Sequence, residues 1–130
     1  MEPTLKSGKQ LAEHADIAGS EFHHTNLRGA NFDDVNLSGA SFHNINFSEI
    51  KVSAAQMGGA TFKHIGLPPD KDGRQGRQRP VTFEEATLSD STFRKVDLSN
   101  VRIIDCNIAG MTIDGVLVSD LLRQLRGTKK

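Results

Sequence analysis

The sequence contains no tryptophan, no tyrosine and only one cysteine, Cys106. A lone cysteine excludes the internal disulfides that staple small secreted domains. No apolar run approaches the ~20 residues that span a bilayer. Residues 1–10 carry lysines with no apolar stretch behind them, so no secretory leader is expected there, and the expected compartment is the cytoplasm. Charge of one sign is also lacking: 16 Lys+Arg balance 16 Asp+Glu. That balance argues against a basic nucleic-acid binder and against a strongly acidic tail protein. Proline occurs four times, and three of the four fall at Pro68, Pro69 and Pro80. Phenylalanine, by contrast, occurs seven times. A core with one kind of aromatic suggests a repeated site of fixed size. The 130 residues suffice for one domain with one modest core.

The repeat has a period of five. From Ala15 the chain reads ADIAG, SEFHH, TNLRG, ANFDD, VNLSG, ASFHN and INFSE. The third residue of each block, its centre, is Ile17, Phe22, Leu27, Phe32, Leu37, Phe42, Phe47, Val52, Met57, Phe62 and Leu67. A second run, shifted in phase, has centres Phe83, Leu88, Phe93, Leu98, Ile103, Ile108, Ile113 and Val118. All 19 centres are apolar and all seven phenylalanines sit on them. Chance would give this about once in 10⁸, which settles the period. Two residues before the centres lie mostly small or β-branched side chains. Between the two lies mostly a polar one, such as Asn26, Asn36 or Asn107, and glycine often closes the block. Two inward side chains flanking one outward side chain describe a short strand. A Gly- and Asx-rich corner then turns the chain. A stack of such turns is a solenoid whose inner face is covered only by its neighbours.

These A(D/N)(L/F)XX blocks resemble the pentapeptide-repeat family over residues 15–122, apart from one loop. The resemblance implies an all-β fold, a right-handed quadrilateral β-helix with four blocks per coil and the centres pointing inward. Nineteen blocks would then make just under five coils. The expected core includes Phe22, Phe32, Phe42, Phe47, Phe62, Phe83 and Phe93. If the loop interrupts a corner and occupies no face, Phe22, Phe42, Phe62, Phe93 and Ile113 share one face. Phe32, Val52, Phe83 and Ile103 then share the opposite face, with large rings lying over large rings.

Residues 68–80, PPDKDGRQGRQRP, contain no apolar side chain besides proline and are predicted to form a projecting exposed loop. Lys71, Arg74, Arg77 and Arg79 outnumber Asp70 and Asp72 there. The blocks of 15–67 and 81–122 carry 12 acids and 6 bases, so neutrality conceals an acidic body. In the register above, one face has the corner residues His23, His24, His43, Lys63, His64, Arg94 and Lys95. The other has Asp33, Asp34, Glu84, Glu85 and Asp105, moderated by Lys51 and Arg102. At the C-terminal end, 119–130 is predicted to form a short capping helix and basic tail. Ser119 and Asp120 would start the helix, and Leu121, Leu122 and Leu125 would cover the last coil or meet a second copy. The first 14 residues are weakly patterned and expected to be partly disordered, with Leu11 and Ala12 available to cover the first coil.

No Gly-rich phosphate loop, nucleophile elbow or HExxH is present. His23 and His43 could approach on adjacent coils, but Lys63 continues their column, so no metal site is expected. Cys106 sits at an inward position and is expected to be a buried small hydrophobe. A filled solenoid has no pocket to perturb a carboxylate, so no catalytic residue, cofactor or small-molecule substrate is expected. The expected function is a non-catalytic scaffold for protein–protein interaction. Lys71, Arg74, Arg77, Arg79, Asp33, Asp34, Glu84 and Glu85 are its candidate contact residues, and a homodimer through a coil end is a further expectation. Direct nucleic-acid binding and membrane binding are not expected. The resemblance offers an alternative, a DNA-mimicking modulator of a type II topoisomerase, because some family members resemble duplex DNA in width and charge and protect or inhibit gyrase.

Overall fold

The computed structural model describes residues 5–127. The chain forms two units, Met1–Ala60 and Thr61–Lys130, each described by itself below. Residues 1–4 of the N-terminal segment and 128–130 of the basic tail lie outside the described residues.

Every block of the first unit ends in a corner whose second residue past the centre has positive φ, and the corners come in two kinds that alternate. After Ile17, Leu27, Leu37, Phe47 and Met57 the corner is closed by a backbone hydrogen bond. There the N–H three residues past the centre donates to the centre's carbonyl at 3.0–3.1 Å, as in Ala40 to Leu37. After Phe22, Phe32, Phe42 and Val52 the corner is an open bend at His24, Asp34, Asn44 and Ala54, with φ of 52° to 55°. The same bend occurs at His14, φ 51°, so the pattern begins one block before Ala15. Further upstream Leu11 remains 85% exposed and covers nothing.

The two kinds of corner have different chemical requirements. A hydrogen-bonded turn with negative and then positive φ is type II, whose third residue needs φ near +80° and therefore favours glycine. Gly19, Gly29, Gly39 and Gly59 take this place at φ 74° to 79°. The open bend needs only the left-handed region near +55°, which Asn, Asp and His tolerate. Side-chain staples also mark four of the hydrogen-bonded corners, whereas Asn31, before the open bend of Phe32, is the one Asx that precedes an open bend here. Asp16, Asn26, Asn36 and Asn46 precede hydrogen-bonded corners, and each side-chain Oδ1 accepts the N–H two residues on at 2.9–3.0 Å. These Asx staples hold the chain in the turn before the backbone bond closes.

The second unit continues the scheme. His64, Glu85, Lys95 and Asp105 occupy open bends at φ 51° to 58°. Leu88, Leu98 and Ile108 precede hydrogen-bonded corners at 3.0–3.2 Å, with Asp97 and Asn107 as staples. The last two sequence blocks depart from it. Thr112–Ile113 (β1) pairs antiparallel with Val116–Leu117 (β2) around Asp114 and Gly115, both at positive φ. The expected centres Ile113 and Val118 thus stand in a hairpin strand and at the start of a helix. An Asp-Gly pair between alternating apolar residues favours a type I′ hairpin over a pentapeptide corner. The helix α1, Val118–Gly127, follows β2 directly. Asp120 lies in its first turn, where the helix dipole favours a carboxylate, and pairs with Arg123 at 3.3 Å.

Burial corrects the expected core. Phe22, Phe32, Phe42, Phe47, Phe62, Phe83 and Phe93 are 45% to 67% exposed. The reason is geometric: a centre is covered only when the block twenty residues away packs over it, and the corner bonds act within single turns. Phe42 instead meets Phe47 edge to face around one corner, ring centroids 5.4 Å apart, not a ring in its own column. Cys106 is exposed, and its Sγ lies 3.2 Å from the Ile104 carbonyl. Among the described residues, half-buried positions are confined to Ile108, Met111, Val118, Ser119, Asp120 and Leu122.

Candidate interaction surface

The loop begins where a corner cannot form. After Phe62 and its open bend at His64, alternation calls for a hydrogen-bonded corner after Leu67, with positive φ at residue 69. That residue is Pro69, whose ring fixes φ near −65°. Position 66, where a staple would stand, is glycine. The chain leaves the repeat here and resumes at Phe83 with an open bend at Glu85, the kind the alternation requires next. The loop thus replaces one corner and preserves the order of corner types.

Two side chains organise it. In the other hydrogen-bonded corners the centre's carbonyl accepts a backbone N–H. Here the Leu67 carbonyl accepts Gln75 Nε2 at 2.5 Å, so Gln75 supplies the bond that the prolines remove. At the tip, Asp70 N–H donates to the Arg74 carbonyl and Gly73 N–H to the Asp70 carbonyl, both at 2.9 Å. The Asp70 carboxylate accepts the N–H groups of Asp72 at 2.9 Å and Arg74 at 2.8 Å. Gly73 at φ 77° completes the turn. Sequence reasoning missed both residues, although Pro69 at a position requiring positive φ was a readable signal.

The tip therefore turns one acid onto the backbone and leaves Lys71 and Arg74 exposed. Farther along, the positive charge of Arg77 acts on Asp97. The Ser99 hydroxyl and Ser99 N–H hold the Asp97 carboxyl below its ordinary range against an opposing desolvation, with a lesser contribution from Arg77. Arg79, Glu84 and Glu85 are exposed in the same unit, whereas Asp33 and Asp34 are exposed in the first. Leu122 packs inward from α1, while Leu121 and Leu125 are 44% and 62% exposed.

Two hollows adjoin the repeats. One, of about 670 Å³, is lined by residues 22–27 of one stretch and 43–45 of another, including His23, His24 and His43. His23 Nε2 lies 3.3 Å from Glu21 Oε1. The other, of about 340 Å³, lies between the last repeats and α1, with Cys106, Ile108, Met111, Val118 and Leu122 on its wall. Among the described residues no group of three or more His, Cys, Asp or Glu is placed to hold a metal ion. No described helix is long and apolar enough to cross a membrane.

A family model described as pentapeptide repeats matches residues 15–53 and 81–120 in eight copies, more than half of the chain. The chain belongs to the pentapeptide-repeat family. Membership implies a β-helix solenoid and a repeat scaffold, and the matched spans fall on either side of the loop. Neither a curated protein nor a solved structure matches the chain. Within this pentapeptide-repeat chain the Asx staples are the local device that sets the corners. Asn36→Ala removes the side-chain bond to Ser38 N–H and is expected to destabilise by about 0.5–1 kcal/mol, the range of one exposed hydrogen bond. The midpoint of urea unfolding checks this, with Ser41→Ala as the unstapled control.

Proposed function

We propose that this pentapeptide-repeat chain is a non-catalytic, cytoplasmic scaffold. In this reading it closes into a right-handed quadrilateral β-helix and binds a protein partner through its loop and its acidic corners. The alternation of two corner types supports the four-sided coil, because like corners then recur on opposite sides. One approach between segments about twenty residues apart supports the same coil length: the hollow lined by 22–27 and 43–45.

The observation that carries the binding role is the loop. It stands in place of one corner, is tied at its base by Gln75 and at its tip by Asp70, and presents Lys71 and Arg74 to solvent. Ordering a segment before binding lowers the entropy lost on association. Deleting 68–80, or reversing Lys71 and Arg74 to Glu, is expected to abolish capture of the partner from host lysate while leaving thermal stability within a few degrees. Unchanged capture by the loop deletion together with a Glu84→Lys, Glu85→Lys variant would refute the binding surface.

The exposed pairs Asp33–Asp34 and Glu84–Glu85 favour a second reading, the DNA-mimicking topoisomerase modulator. A gyrase supercoiling assay with and without a fluoroquinolone separates the two. Inhibition or protection at low micromolar protein, lost on removing the loop, selects the second reading. An inert, well-folded protein excludes it.

A further inference from the structure

We infer that the C-terminal hairpin and helix α1 are the seed from which the repeats become ordered, so that protection is laid down from the C-terminus toward the N-terminus. This inference concerns how the scaffold assembles and stands whether or not the partner-binding reading holds.

The half-buried residues of the described chain all lie between Ile108 and Leu122. The strand pairing is there too, and so is the Val118 N–H to Met111 carbonyl bond at 3.1 Å, which spans more sequence than any backbone corner bond. Upstream, corner bonds span three residues and the centres remain exposed. A local corner forms without bringing distant segments together, so it orders a block but gives it no covering surface. The first turn of a solenoid must be fixed before any neighbour rewards it, and each later turn gains a preformed surface to pack on. Among the described residues, only the stretch 108–122 offers such a half-buried surface. There Val118 and Leu122 stand over Ile108, Met111 and Ile113 across the half-open hollow. Cys106 lines the same hollow and reports on its closure.

Hydrogen exchange of the full chain tests the order. Amides of 103–122 are expected to exchange at least about tenfold more slowly than those of 20–40. Labelling of Cys106 by a thiol reagent is expected to slow in step with that protection. Leu122→Asp is expected to remove protection from both regions and raise Cys106 labelling to the rate in urea. Phe22→Asp is expected to remove protection only from nearby blocks and to leave Cys106 labelling unchanged. Fastest exchange at 103–122, or Leu122→Asp leaving residues 20–40 as protected as before, would overturn the inference. So would Phe22→Asp exposing Cys106.

Discussion

Replacing Phe42 by Asp is expected to destabilise the protein by about 3–5 kcal/mol, the loss typical of a deleted core aromatic, with a buried unpaired carboxylate adding to it. The expectation follows from the proposed closed coil. Phe42 is a block centre 58% exposed along a single turn, and its ring already meets Phe47. Closure would place the blocks twenty residues on either side over that ring. Asn44, two residues later, sits at an open bend with φ 55° and points no apolar surface inward under the same scheme. Asn44→Asp keeps a residue type that tolerates this φ and is expected to stay within about 0.5 kcal/mol. Urea unfolding followed by circular dichroism measures both. A small loss for Phe42→Asp would mean that the centres stay in solvent and the coil does not close. Equal large losses for both variants would refute the inward and outward assignment.

The period of five was legible because the centres are uniformly apolar, and the loop because 68–80 has nothing to bury. The second periodicity, of ten, was legible in principle. Asp16, Asn26, Asn36 and Asn46 precede every other centre, and Gly19, Gly29 and Gly39 follow the same ones. Averaging all blocks into one motif hides it, because the two corner types differ in backbone angle and staple while sharing the apolar centre. The hairpin within the last blocks was hidden for a related reason. Ile113 and Val118 fit the spacing, yet the Asp114–Gly115 pair makes a local turn that the spacing does not encode. Burial of Phe22 or Cys106 was never a local property. It depends on a contact between residues about twenty apart, whereas composition and spacing describe only the block itself. Gln75 was invisible for the same cause: its role appears only once the Leu67 carbonyl is known to lack its usual donor.

Gly39→Val is expected to cost about 1–3 kcal/mol, the strain of holding a non-glycine residue in a sparsely populated backbone region. Gly39 has φ 75°, and a Cβ added there meets no atom within 4 Å. Steric collision with the rest of the protein therefore contributes nothing, and the whole effect is local backbone strain. A β-branched residue suffers most at positive φ, whereas Asn and Asp bear it better. The chain contains its own calibration: Asp90 and Asn100 occupy hydrogen-bonded corners at φ 63°, twelve degrees or so below Gly39. Gly39→Asn is accordingly expected to fall between wild type and Gly39→Val. Asp34→Gly, at an open bend of φ 53°, is expected to lie within about 0.5 kcal/mol of wild type, because easier access to that φ offsets the added freedom of the unfolded chain. Urea midpoints at constant slope rank the three variants. If Gly39→Val unfolds with wild-type Phe42 and Phe47 protection and an unchanged midpoint, the corner after Leu37 is not type II. If Asp34→Gly loses as much as Gly39→Val, the two classes of corner are not distinct.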